Sequence, residues 1–144
     1  MATMERYLIL PHTADGKFRA FGRTLEEAFS NSALAVASLM WNWQEIERRV
    51  SYAVDVRGRD PEQLLVRFLE EVLFLFDTRS FLLGEVEGTK ISEGDGDRRL
   101  EAVLWGDNRP DEHEIFGEVK AITYNEMKIE KSCDRWSVQV VVDM

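Results

Sequence analysis

The sequence predicts an α+β fold: a three-layer β/α/β sandwich with two helices between two largely antiparallel or mixed sheets. Three observations point there. Two segments carry helix-start signals followed by apolar residues at helical spacing. The apolar residues of both helices cover more than one face. The rest of the chain is dominated by short alternating or continuous apolar runs bounded by Gly, Pro and Asp. A helix lying on one sheet needs only one apolar stripe, so helices with broad apolar coverage require a layer on each side.

Arg6 to Leu10 reads as a strand closed by Pro11, which has no N–H to give to a ladder. Lys17 to Phe21 reads as a second strand, ended by Gly22. Thr24-Leu25-Glu26-Glu27 is a capping box, with Thr24 as N-cap and Glu27 reaching back. The helix it opens extends to Leu39 or Met40. Its main stripe is Leu25, Ala28, Phe29, Ala33, Val36 and Met40, and Leu34, Ala35, Ala37 and Leu39 lie off it. Trp41-Asn42-Trp43 is read as closing the core after that helix.

Val50, Tyr52, Val54 and Val56 alternate with small or polar residues, a strand signature that stops at Gly58. Asp60 and Pro61 open a second helix as N-cap and first residue. Phe81 to Glu87 is expected to be a strand. Glu93 to Asp97 is a turn into a strand over Leu100 to Trp105, and Asp107 to Glu114 is a polar loop. Phe116 to Ile129 and Trp136 to Asp143 are expected as the last two strands, joined through Lys131 to Arg135. Val138 to Val142 is nearly continuous in apolar character, as a central buried strand requires.

The 144 residues make one domain, 1–144, with 44% hydrophobic and 31% charged residues. A net charge of −9 disfavours direct binding to nucleic acid and suits a cation or a basic partner surface. The single cysteine, Cys133, cannot form an internal disulfide, so a reducing compartment is expected. No secretory leader is recognisable. The most apolar stretch, Leu64 to Leu83, holds Arg67, Glu70, Glu71, Asp77 and Arg79, which argues against a membrane span. A cytoplasmic protein is expected. Dinucleotide, P-loop and zinc-protease motifs are absent, and Asp95-Gly96-Asp97 reads as a hairpin turn, not a calcium loop.

Two features bear on chemistry. Pro11-His12-Thr13-Ala14-Asp15 places an imidazole and a carboxylate in a loop at a strand exit. The same residues also suit a plain polar turn. At the other end, Asp143 and the α-carboxylate of Met144 stand side by side after a buried strand. Brought against Asp15, they would make a hard-oxygen site for Ca²⁺ or Mg²⁺; left alone, they are a solvated terminus.

Five collinear blocks then resemble the archease family: Pro11 to Asp15, Thr24 to Phe29, Leu64 to Thr78, Glu118 to Tyr124, and the Val140-Val141-Val142-Asp143-Met144 ending. The resemblance spans essentially the whole chain. It implies a cytosolic, non-catalytic accessory protein of RtcB-type 3′-phosphate RNA ligases in tRNA splicing, which promotes ligase guanylylation and multiple turnover. It implies a β/α/β sandwich, a divalent-metal site formed by Asp15, Asp143 and Met144 that takes Ca²⁺ or Mg²⁺, and a functional lysine at Lys120. His12 joins Lys120 as a partner-facing residue. The alternative is a chaperone or specificity modulator of another RNA-modifying enzyme, such as a tRNA methyltransferase. A stand-alone metal-dependent hydrolase fits less well, because no nucleophile–base pair is evident. The chain departs from the family pattern at Asn125, where many members carry His, and at Gly16, where a β-branched residue is common. Asn125 is accordingly left out of the site, and Gly16 is expected to loosen the loop that aims Asp15.

Overall fold

In the computed structural model, which describes residues 5–11 and 15–144, the chain forms two antiparallel sheets with two long helices between them. Sheet A runs β1 (Tyr7–Leu10), β2 (Gly16–Gly22), β8 (Arg135–Asp143), β6 (Ala121–Ile122), and β7 (Lys128–Ser132) also pairs with β8. Sheet B runs β3 (Val50–Gly58), β5 (Asp97–Asp107), β4 (Leu82–Gly94). Every described pairing is antiparallel, which settles the sheet type that the sequence left between antiparallel and mixed.

Helix α1 (Leu25–Ser38) begins at Thr24, whose hydroxyl accepts from Glu27 N at 3.1 Å. The return arm of the capping box is shifted by one residue: the Glu27 carboxylate accepts from Arg23 N at 3.4 Å, not from the Thr24 amide. Ala28, Phe29 and Ala33 to Ala37 are all buried, as a helix covered on two sides requires. It packs on β2 and β8 of sheet A and on β4 of sheet B. Helix α2 (Pro61–Arg79) starts at Asp60, which accepts from Gln63 N at 2.8 Å, and ends at Ser80 in the left-handed conformation (φ 55°). It packs on β3 and β5 on one side and on β6 and β7 on the other. Its coverage is not complete, because Phe74 is exposed.

Trp41 is fully buried and donates its indole N–H to Leu83 O at 2.9 Å, tying the exit of α1 to sheet B. This agrees with the core-closing reading of Trp41 to Trp43. Trp43 is only half-buried, opens a short 3₁₀ turn (Trp43–Glu45) and donates to the Tyr7 hydroxyl. The hairpin between β4 and β5 turns at Asp95 and Gly96, both at positive φ, and both strands run longer than the apolar pattern suggested. Cys133 is exposed in the β7–β8 turn.

One expected element is corrected. Phe116 to Ile129 is not a single strand: 115–120 is irregular, β6 has only two residues, and a turn separates it from β7. The break has a local cause. The turn is built on Thr123, whose hydroxyl donates to Val141 O at 2.7 Å and accepts from Asn125 N at 3.2 Å, while Glu126 adopts φ 53°. A left-handed residue cannot continue an extended ladder.

Candidate functional site

The site is set by where β8 ends. Its register with β2 pairs Gly16 with Val142, so the residue before Gly16 and the residue after Val142 are Asp15 and Asp143. On its other side, β8 pairs Asp143 with Ala121, and Lys120 N donates to Asp143 O at 2.7 Å. The last residue of β8 therefore lies between the strand that Asp15 enters and the strand that Lys120 enters. Three residues distant in sequence meet at one edge because β8 is central in its sheet.

Side-chain alternation sorts the two terminal residues. Asp143 shares a face of β8 with Val141, which pairs with Lys17. That face also holds the Arg19–Gln139 bond at 2.7 Å and a Lys17–Glu126 ion pair at 3.3 Å. Gln139 donates to Glu126 O, so the turn after β6 covers the strand and Val141 is buried on its outer side. Met144 reaches toward the opposite side: a Cβ on Gly16 would lie 2.9 Å from Met144 Sδ, 2.9 Å from Val142 Cγ2 and 3.1 Å from Leu39 Cδ1. Gly16 is buried within β2. It makes room for Met144 and for the end of α1, which corrects the expectation that it loosens a loop.

Asp143, Lys120 and Met144 are exposed and Asp15 is half-buried. His12 lies outside the described residues, so its relation to these groups is not part of the geometry. Large apolar side chains are exposed on the segments that lead to and from β6: Ile115 and Phe116 before it, Tyr124 after it. Phe116 N is anchored on Met40 O at 2.9 Å, and a Cβ on Gly117 would collide with Leu39 O, so this segment presses against the same end of α1 that Gly16 faces.

In donor chemistry, Asp15 and Asp143 supply carboxylate oxygens and suit a hard divalent ion. The missing Cβ of Gly16 lets the Met144 side chain come close to the entry of β2. Among the described residues these groups form no nucleophile–base pair. The fold brings Asp15, Asp143, Met144 and Lys120, all singled out in the sequence, to the same end of β8. Sequence reasoning did not single out Lys17 and Glu126, which pair on the adjacent face, or the contact between Met144 and Gly16. Alternation along β2 would have indicated Lys17, but nothing local signals the other two.

The fold and this strand-end geometry can be compared with known proteins. A solution structure of Methanobacterium thermoautotrophicum protein 1598 superposes with a TM-score of 0.84 at 31% identity, covering 98% of this chain and all of the other. A protein archease from Pyrococcus furiosus is 44% identical over 135 residues, covering 92% of this chain and 94% of its own length. One from Pyrococcus abyssi is 40% identical over 143 residues, covering 98% of this chain and its own full length. Residues 7–144 match the archease protein family (MTH1598/TM1083), a span that starts at β1 and takes in Asp15, Lys120 and the end of β8 together, so the chain belongs to the archease family.

Proposed function

We propose that this archease is a non-catalytic activator of an RtcB-type 3′-phosphate RNA ligase, promoting ligase guanylylation and repeated turnover in tRNA splicing. The observation that carries the reading is the convergence of Asp15, Asp143 and Lys120 on the end of one central strand. Carboxylates beside an exposed lysine form a charged point of contact, and Phe116 and Tyr124 offer apolar area on the neighbouring segments. Such a surface suits engagement of another protein better than chemistry on a bound small molecule. The net charge of −9 fits a basic partner and opposes unaided binding to RNA.

Asp15, Asp143 and Met144 are the residues that would hold a divalent ion, Ca²⁺ or Mg²⁺. When bound, the ion supplies concentrated positive charge at the contact point. The chain's own residues do the rest. The register of β8 holds Asp143 beside Asp15, Gly16 keeps Met144 close, and Lys120 offers an ammonium for a phosphate or carboxylate of the partner.

The test is a guanylylation and ligation assay with the cognate ligase present below the RNA concentration. Added archease is expected to convert a single round of ligation into many. Asp143→Asn and Asp15→Asn are expected to return the ligase to its unassisted rate while their thermal unfolding midpoints stay near that of the parent. Full activation by either variant overturns the proposed role of the carboxylates. A parent protein that leaves the ligase unassisted overturns the function itself.

A further inference from the structure

After β5 the chain leaves sheet B and crosses to sheet A over residues 108–120. This crossover turns once through a short 3₁₀ segment (Pro110–Glu112), hangs Phe116 on Met40, and ends at Lys120. At its root three side chains converge. Asp107, Glu112 and His113 each place one metal-capable atom within 4.8 Å of the others, the one such group among the described residues.

Two features set this group apart from an ordinary surface cluster. Asp107 is a carboxylate only 2% exposed. His113 Nε2 is sealed from solvent and makes no hydrogen bond, although it lies 3.6 Å from Asp107 Oδ2. That separation is too long for a hydrogen bond, and a buried nitrogen left without a partner is unfavourable. It does match the edge of a coordination polyhedron: ligand atoms about 2.0–2.2 Å from a tetrahedral ion stand roughly 3.3–3.6 Å apart.

The remaining neighbours permit such an ion. Arg49 Nε lies 3.4 Å from Asp107 Oδ2, but the same guanidinium is closer to Glu47, at 2.8 Å, and keeps that partner if Asp107 turns to a metal. Glu112 is half open to solvent and paired only loosely with Arg109, at 3.5 Å. One imidazole and two carboxylates make a mixed nitrogen–oxygen set, which suits a first-row transition ion better than Ca²⁺ or Mg²⁺.

We propose that Asp107, Glu112 and His113 form a second metal site, separate from the strand-end carboxylates, that binds a divalent transition ion of the Zn²⁺ type. The bound ion clamps the root of the crossover and so steadies the segment that presents Phe116 and Lys120.

The experiment titrates ZnCl₂ into the full chain carrying Asp15→Asn and Asp143→Asn, which removes the strand-end carboxylates. Binding is read by calorimetry and the assigned His113 ring nitrogens by NMR. One Zn²⁺ per chain is expected, with the His113 Nε2 resonance shifting at stoichiometric metal and Ca²⁺ leaving it in place. His113→Gln is expected to weaken Zn²⁺ binding by at least about tenfold, no less than the loss of an outer-shell partner costs. Glu112→Gln, at an exposed position that does not endanger the fold, is expected to weaken it as well. A His113 ring unmoved by stoichiometric Zn²⁺, an equal response to Ca²⁺, or undiminished binding in both variants overturns the site.

Discussion

Single side chains decide how the two ends of this chain meet. Gly16 is the clearest case, because its missing Cβ is where Met144 Sδ and Val142 Cγ2 crowd in. Gly16→Val is expected to destabilise the fold by about 1–3 kcal/mol, because the Met144 thioether can swing away but the buried Val142 and the Leu39 side chain leave no room for the added methyls. It is expected to cut ligase activation clearly, because Met144 then leaves the entry of β2. Parallel denaturation and guanylylation measurements separate the two effects. Glu71 acts on stability through its own burial. That burial on α2, with a lesser push from Glu70, raises its carboxyl above the usual carboxylate range. The folded state thus holds this proton more tightly than the unfolded chain. The group's contribution falls as pH rises through the carboxylate range and is a net cost at neutral pH. Glu71→Gln is therefore expected to stabilise the protein by a few tenths of a kcal/mol at neutral pH, within the roughly 0.5 kcal/mol of ordinary surface changes. That advantage disappears below about pH 4. Urea titrations at several pH values check the sign.

Among the elements, the helix starts were legible because caps are local. Thr24 and Asp60 both accept from the amide three residues on, and each sits where the side-chain pattern put it. Thr24→Ala is expected to destabilise the fold by about 1 kcal/mol, measured as a shift in the urea midpoint with unchanged slope. The strand after the crossover was not legible. Phe116 to Ile129 has enough β-branched and aromatic residues for a strand, yet Thr123 diverts its hydroxyl to β8 and Glu126 takes a left-handed turn. Propensity counts residue types and does not register a side chain that bonds another strand's carbonyl. The same turn lays Glu126 against Lys17 and Gln139 and shields the outer side of β8. In Asp107 to Glu114 the sequence reading was only of a polar loop. Asp107 is buried beside Arg49 and His113 because β5 runs through it as its last residue.

For the whole molecule, the apolar breadth of the helices predicted the layer order, and both helices do touch both sheets. The core runs continuously from Phe18 and Val140 of sheet A through Phe29 and Phe68 to Leu100 and Leu104 of sheet B. Among the described residues no helix is long and apolar enough to cross a membrane. The net charge of −9 acts at this scale too. If the partner presents a basic face, association is steered by long-range attraction and weakens as salt shortens the Debye length, from about 10 Å at 0.1 M to about 3 Å at 1 M. Activation at limiting archease is expected to fall with rising salt and to recover when more archease is added. Salt-independent activation would mean that apolar contacts dominate the docking.

The sequence by itself determined the element types outside the 116–129 segment, both helix starts, the two-sided burial of the helices and the kinship with archease. These follow from interactions within one turn or one strand, and from residues that stand in order along the chain. Only the tertiary structure decided that Gly16 pairs with Val142 and Asp143 with Ala121, that Met144 fills the space beside Gly16, and that His113 turns toward a buried Asp107. Register is a long-range property: a slip of one residue between β2 and β8 would move Asp143 to the other face and pull it away from Asp15. No local pattern encodes that choice, because it is set by how the whole core packs.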